Sequence, residues 1–288
     1  MQEISIDKMT YQPPIRRLNR RVQTIIVTLC IFVFVIGIFL LGNYMGDELI
    51  QANFSQKGLT PSWEHPFGTD MLGRDMLVRT IKGLSLSIAV GTIASSVSAV
   101  IALFVGIAAA TGAAWLDHFV NWLIDLVMSV PHMVLLILIS FACGRGLQGV
   151  LIGIAVTHWT SIARVIRGEV LQIKFQQYIA VSRKMGRSNT WIMTHHILPH
   201  MVPQFIINLI LMFPHAIMHE SGLTFLGFGL PPEKPAIGII LAESMKYIST
   251  GKWWLAFFPG LMLVIIVLLI NKLGECVRKI VDPYSAQE

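Results

Sequence analysis

The sequence predicts an all-α polytopic membrane protein of six transmembrane helices, and three observations carry that prediction. Of 288 residues, 54% are hydrophobic and only 13% are charged, whereas a soluble domain carries about 25% charged residues. The mean hydropathy is +0.67. The apolar residues fall into runs of about twenty, the length a helix needs to cross a hydrocarbon core of roughly 30 Å. Lys and Arg collect at the ends of those runs, as membrane topology requires.

The runs give spans at 23–42, 84–111, 119–142, 147–166, 200–221 and 254–272. The first is too long for a secretory signal core, and no small-residue cleavage pattern follows it, so it reads as a retained span. The second is rich in Ser, Gly and Ala, including Ser85, Gly91, Ser95, Ser98 and Gly106. Small residues let helices approach closely in lipid, so this span belongs inside the bundle. The 222–253 loop contains Leu223-Thr-Phe-Leu-Gly-Phe-Gly-Leu-Pro-Pro, apolar and punctuated by Gly and Pro. It suits either an outer lip over a cavity or a loop packed on the bundle.

Fourteen of the 22 basic residues lie in, or within three residues of, the N-terminal tail, the segment between spans four and five, and the C-terminal tail. The positive-inside rule makes all three cytosolic. The organisation is then a tail at 1–22, the first span at 23–42, an outer loop at 43–83, a five-helix core at 84–272 and a tail at 273–288. Within the core, the 167–199 segment faces the cytosol and the 222–253 loop faces outward. The +6 charge follows topology rather than nucleic acid, because Arg and aromatic residues are not interleaved. Cys30, Cys143 and Cys276 are odd in number and far apart, so no disulfide framework is indicated.

Between spans four and five, Tyr178, Ile179, Val181 and Met185 alternate with Gln177, Ser182, Arg183 and Lys184 at helical spacing. Gly186 can end that helix. Pro199 sits near the first turn of span five, where a missing N–H costs little. By pattern alone this is either a helix that transmits a push from a partner or one that rests on lipid. The segment resembles the coupling ("EAA") loop of binding-protein-dependent ABC importer permeases. The family pattern places Gly eleven residues before Leu-Pro, as Gly186 stands before Leu198-Pro199. Gln177 replaces the usual acid, and Val181 and Ser182 replace the two alanines. The outer loop adds His65-Pro-Phe-Gly-Thr-Asp-Met-Leu-Gly-Arg-Asp, similar to a signature of the dipeptide, oligopeptide and nickel branch, with Gly68, Thr69, Asp70, Gly73, Arg74 and Asp75 matching. Leu223-Thr-Phe-Leu-Gly-Phe-Gly is a third match. The resemblance covers about residues 20 to 284 and fits the smaller, C-type permease of a pair.

The resemblance implies a subunit of a type I importer in a prokaryotic plasma membrane. It implies a homologous second permease, two ABC ATPase subunits and an extracytoplasmic solute-binding protein as partners. The ATPase-coupling residues are then Gln177, Tyr178, Val181, Ser182, Arg183, Gly186, Leu198 and Pro199. No cofactor is expected in this chain; ATP and Mg belong to the ATPases. Consistent with that, the chain lacks a Gly-x-x-x-x-Gly-Lys-[Ser/Thr] phosphate loop. It is expected to be no enzyme.

The histidines bear on the cargo. His215 and His219 share a helix face at i, i+4, and Glu220 follows. His158 lies in span four and His132 in span three. Imidazole suits nickel, cobalt, copper and zinc, and polar groups at membrane depth face the interior or a water-filled path. His-x-x-x-His before the Phe-Leu-Gly motif, and the His158-Trp159 pair, resemble nickel-type permeases. The leading expectation is therefore a chelated transition metal passing His132, His158, His215, His219 and Glu220, with no ion tightly bound. A di- or oligopeptide is the alternative cargo. Buried structural histidines are the bland alternative for the side chains. An intramembrane metalloprotease is disfavoured because Ala216 stands where His-Glu-x-x-His needs its Glu. A passive channel would need no coupling loop.

Overall fold

The computed structural model describes residues 20–281, and its regular elements are all helical. The sequence readings at residues 1–19 and at Asp282-Pro283 lie outside the described residues. In chain order the α-helices are α1 (Arg20–Tyr44), α2 (Met76–Thr111), α3 (Ala114–Ser129), α4 (His132–Ala142) and α5 (Leu147–Lys174). They continue with α6 (Gln177–Lys184), α7 (Asn189–Ile192), α8 (Leu198–Phe225), α9 (Ile237–Met245) and α10 (Trp254–Val281). Five helical stretches are long and apolar enough to cross a membrane, and α3 with α4 makes a sixth crossing if the bent pair counts as one.

That pair corrects the sequence reading of one continuous span at 119–142. The helix breaks at Val130-Pro131 and bends by 97°. Val130 takes an extended conformation, with φ −92° and ψ 137°. The ring of Pro131 clashes with a helical residue before it and has no N–H to donate, so the helix must stop there. α2 also begins eight residues earlier than expected, at Met76 rather than 84. Its extra turns carry Arg79 and Lys82, whose charges are paired in place.

α2 is the centre of the bundle, packed along α5, α8 and α1. Its small residues make this possible. A Cβ on Gly106 would stand 2.9 Å from the Ala163 carbonyl oxygen of α5, and one on Gly91 2.7 Å from Ile217 of α8. Ser98 Oγ donates to the Ala155 carbonyl at 2.9 Å, and Ser85 Oγ to that of Phe39 at 2.9 Å. Such bonds matter in lipid, where no water competes for the groups. The outward faces leave Leu29, Val33, Phe104 and Leu268 more than half exposed, the surface a bilayer solvates.

The 43–83 loop is folded rather than slack. Asp75 caps α2 by accepting from Val78 N at 3.0 Å, and its other oxygen lies 2.7 Å from His65 Nδ1. Asp70 accepts from the backbone N–H groups of Leu72 and Arg74, and from the side chains of Arg74 (2.6 Å) and Arg79 (2.7 Å). Arg74 and Arg79 also reach Glu243 of α9, at 3.2 and 2.8 Å. Gly68 and Gly73 hold φ of +71° and +77°. A Cβ on Gly68 would meet the Leu59 carbonyl at 2.6 Å, so the turn needs glycine for space as well as for φ. Thr69 Oγ1 donates to the Gln56 carbonyl and accepts from Leu59 N.

Candidate functional site

A cavity of about 690 Å³ opens between the end of α3, the start of α4, the middle of α5 and α8. Each element contributes for a local reason. The break at Pro131 starts a new helix at His132 and turns its first residues toward α5 and α8. His158 projects from the face of α5 that meets the break. His215 and His219 stand one turn apart on α8. All four histidines line the cavity, with Thr157, Ser161 and Asn208 among the other polar groups.

Three of these rings form a tight group. The centroid separations are 4.6 Å between His132 and His158, 4.6 Å between His132 and His219, and 5.0 Å between His158 and His219. One ligand nitrogen from each lies within 4.8 Å of the others. The Nε2 atoms of His132 and His158, and Nδ2 of Asn208, are buried without a partner. His158 Nδ1 is 3.1 Å from the Ile154 carbonyl, and His219 Nδ1 is 3.2 Å from Met133 Sδ.

Glu220 does not join them, which corrects its place in the expected path. One residue after His219 the helix has turned by about 100°, and Glu220 is fully buried on another face. Its carboxylate accepts from Thr224 Oγ1 at 3.0 Å and Ser221 Oγ at 3.2 Å, while Thr224 Oγ1 accepts from Leu230 N at 3.2 Å. This chain of bonds ties α8 to the Gly- and Pro-containing turn at 226–236. Glu220 therefore fixes the turn rather than lining the cavity.

At the opposite end of α8 lies the 177–199 segment. Ile179 is fully buried and anchors α6, while Tyr178, Val181 and Met185 are exposed. Ser182 Oγ meets His196 Nε2 at 3.0 Å. Gly186 takes φ +79°, and nothing lies within 4 Å of where its Cβ would be. Arg187 stacks over Trp191 at 4.6 Å, and Trp191 stacks on His195 at 4.5 Å. Leu198 and Pro199 open α8, joined to α7 by one π-helical turn. Gln177 and Arg183 stand at the two ends of α6. Beside the segment, α3 is tied to α5 by Arg167 with Asp117 and by Arg164 with Asp125.

Sequence reasoning missed Arg79 and Glu243, which complete the loop network, and Asn208 and Met133, which attend the histidines. Arg79 was legible only as a charge before the apolar run. The others acquire their partners solely through tertiary packing.

The family described as binding-protein-dependent transport system inner membrane component matches residues 102–285. A dipeptide transport system permease protein of Bacillus subtilis is 30% identical over 88% of this chain and 79% of its own length. A putative peptide transport system permease protein of Brucella suis is 31% identical over 96% of this chain and 91% of its own. Neither name mentions a metal. An inward-facing structure of the MetNI methionine ABC transporter superposes with a TM-score of 0.60 at 22% identity, covering 72% of this chain and 98% of that one. The fold is thus the type I importer permease fold.

Proposed function

Because this chain belongs to the family of binding-protein-dependent transport system inner membrane components, we propose that it forms half of the pathway of an ATP-driven importer whose cargo is a di- or oligopeptide. It is a multi-pass permease subunit and not an enzyme; ATP is hydrolysed by separate ATPase subunits. The peptide reading rests on the names of relatives that are 30% and 31% identical over 88% and 96% of the chain. It replaces the transition metal as the leading cargo. A homologous permease completes the pathway, and a solute-binding protein delivers the cargo.

In this reading α6 is the coupling helix. Its exposed Tyr178 and Val181 meet an ATPase, and buried Ile179 carries the push into the bundle. The termini and the 167–199 segment are cytosolic, and the 43–83 and 222–253 loops face outward. Gly186→Asp places a charged side chain at a left-handed position on that contact. It should abolish substrate-stimulated ATPase activity while the spans still insert. Full stimulation in purified complex would remove α6 from the coupling role.

The cargo test is uptake by membranes carrying the full transporter with its own binding protein. Labelled dipeptides and labelled nickel, cobalt or zinc chelates are offered in parallel. Accumulation of peptide and not of metal is expected. The reverse would favour the second reading, a chelated transition metal, which the three clustered imidazoles of the cavity support.

A further inference from the structure

We infer that His132, His158 and His219 form an open three-nitrogen site for a divalent transition-metal ion of the cobalt, nickel and zinc kind. The site goes beyond the peptide reading and beyond the sequence expectation that no ion is held. It rests on the proposed function only in placing the ion on the cargo path.

Three features of the cluster point to a ligand rather than to packing alone. The nitrogens converge from three separate helices, within 4.8 Å of one another. Nε2 of His132 and of His158 are buried with no hydrogen-bond partner, an arrangement that proteins avoid unless something else satisfies the group. One of the other nitrogens is held in the manner of a metal-ligating histidine, and a second has a weaker sulfur partner. His158 Nδ1–H donates to the Ile154 carbonyl at 3.1 Å, which puts the proton on Nδ1 and leaves the Nε2 lone pair facing the cluster. His219 Nδ1 is engaged by Met133 Sδ at 3.2 Å, which leaves its Nε2 free in the same way.

The donor set selects the ion. Neutral imidazoles suit zinc, nickel, cobalt and copper, whereas magnesium and calcium want oxygen. Metal–nitrogen bonds of about 2.0–2.1 Å bring the ligand nitrogens to roughly 3.3 Å apart, a closure that small χ rotations of the three rings supply. A closed structural site would have four protein ligands. This one has three, and its remaining positions face the cavity of about 690 Å³. Water, or the carboxylates and amines of a small chelator, can fill them. A three-ligand site that is open on one side can exchange its ion with the cavity.

Co²⁺ is the probe, because its visible d–d bands report nitrogen ligation. The assembled transporter, carried on an affinity tag without histidine, is titrated with Co²⁺ alone beside a His132→Ala/His158→Ala/His219→Ala variant. Wild type should bind one more Co²⁺ per copy of this chain than the variant, with a tetrahedral or five-coordinate spectrum. Single variants should weaken that site by at least the roughly 10–100-fold that losing an outer-shell partner costs metal sites elsewhere. The amount of assembled complex is measured alongside, so that lost binding is read per complex. Equal Co²⁺ binding by wild type and triple variant overturns the inference.

A second measurement needs no variant and decides the matter if the triple change fails to assemble. Ni²⁺ should protect His132, His158 and His219 of the wild-type complex from diethyl pyrocarbonate and leave His65 and His118 reactive. Equal modification of the three rings with and without Ni²⁺ also overturns it. Peptide uptake, measured on the same preparations, reports separately on the importer reading, so loss of metal binding and loss of transport cannot be confused.

Discussion

Two polar clusters sit on this bundle, and they are finished differently. At the loop end, Asp70, Arg74, Arg79 and Glu243 satisfy one another: Asp70 accepts from two guanidinium groups and two backbone N–H groups, and both arginines share Glu243. Around the cavity the opposite holds. Among the described residues, five buried side-chain polar atoms have no partner, and three of them, on His132, His158 and Asn208, line that cavity. A cluster that closes on itself holds a fold together. A cluster left open keeps hydrogen-bonding and ligating capacity for something else.

The comparison makes predictions, largest first. Arg79→Ala removes a guanidinium that is 4% exposed and leaves Asp70 with one of its two guanidinium partners, Arg74. Breaking a buried pair from one side costs about 3–5 kcal/mol, so the amount of assembled complex in the membrane should fall severely. Normal amounts would show that the loop network is not structural. Gly91→Leu, at the α2–α8 contact, should come next, because overpacking typically costs about 1–3 kcal/mol. Its readout is the thermal stability of the purified complex. His158→Ala should separate the clusters most cleanly. It removes Nε2, which has no partner, and with Nδ1 only a bond to the Ile154 carbonyl of its own helix, so complex amounts should stay near wild type while uptake per complex falls. A fall in complex amount with normal uptake per complex would make the histidines structural and erase the contrast. Glu243→Gln should do least, roughly 1 kcal/mol or less, since that carboxylate is partly exposed and surface pairs contribute little. A thermal shift as large as that of Arg79→Ala would place the anchor of the network on α9 instead.

Much of the bundle was legible in the sequence because hydropathy over twenty residues is a strong signal. The break within the third span was not, although Pro131 was in plain view. A window average passes over one residue, and only the backbone rule for the residue before proline marks the bend. The early start of α2 was hidden for a related reason. Arg79 and Lys82 looked like loop residues until their partners, Asp70 and Asp47, were brought to them by the fold. The candidate site was half legible. Spacing along one helix paired His215 with His219, but the closest ring partners of His219 come from α4 and α5. Nothing local records that approach. Glu220 was misplaced because adjacency in sequence was taken for adjacency in space, and a helix turns about 100° between neighbours.

The stretch from Asn189 to Phe225 runs as one helical span of 37 residues. Its first turns carry Trp191 and the contact of His196 with α6, and near its far end stands His219. At 1.5 Å per residue, His219 is about 42 Å from Trp191 and about 35 Å from His196. A tilt of about 5° at one end of such a rod carries the other through roughly 4 Å, by the same rise. That is comparable with the spacing between imidazole rings. Pro203 and Pro214 are the places where the rod can flex. Their stiffness sets how far a displacement at one end of the rod is passed to the other. That stiffness is encoded in two prolines that do not line the cavity.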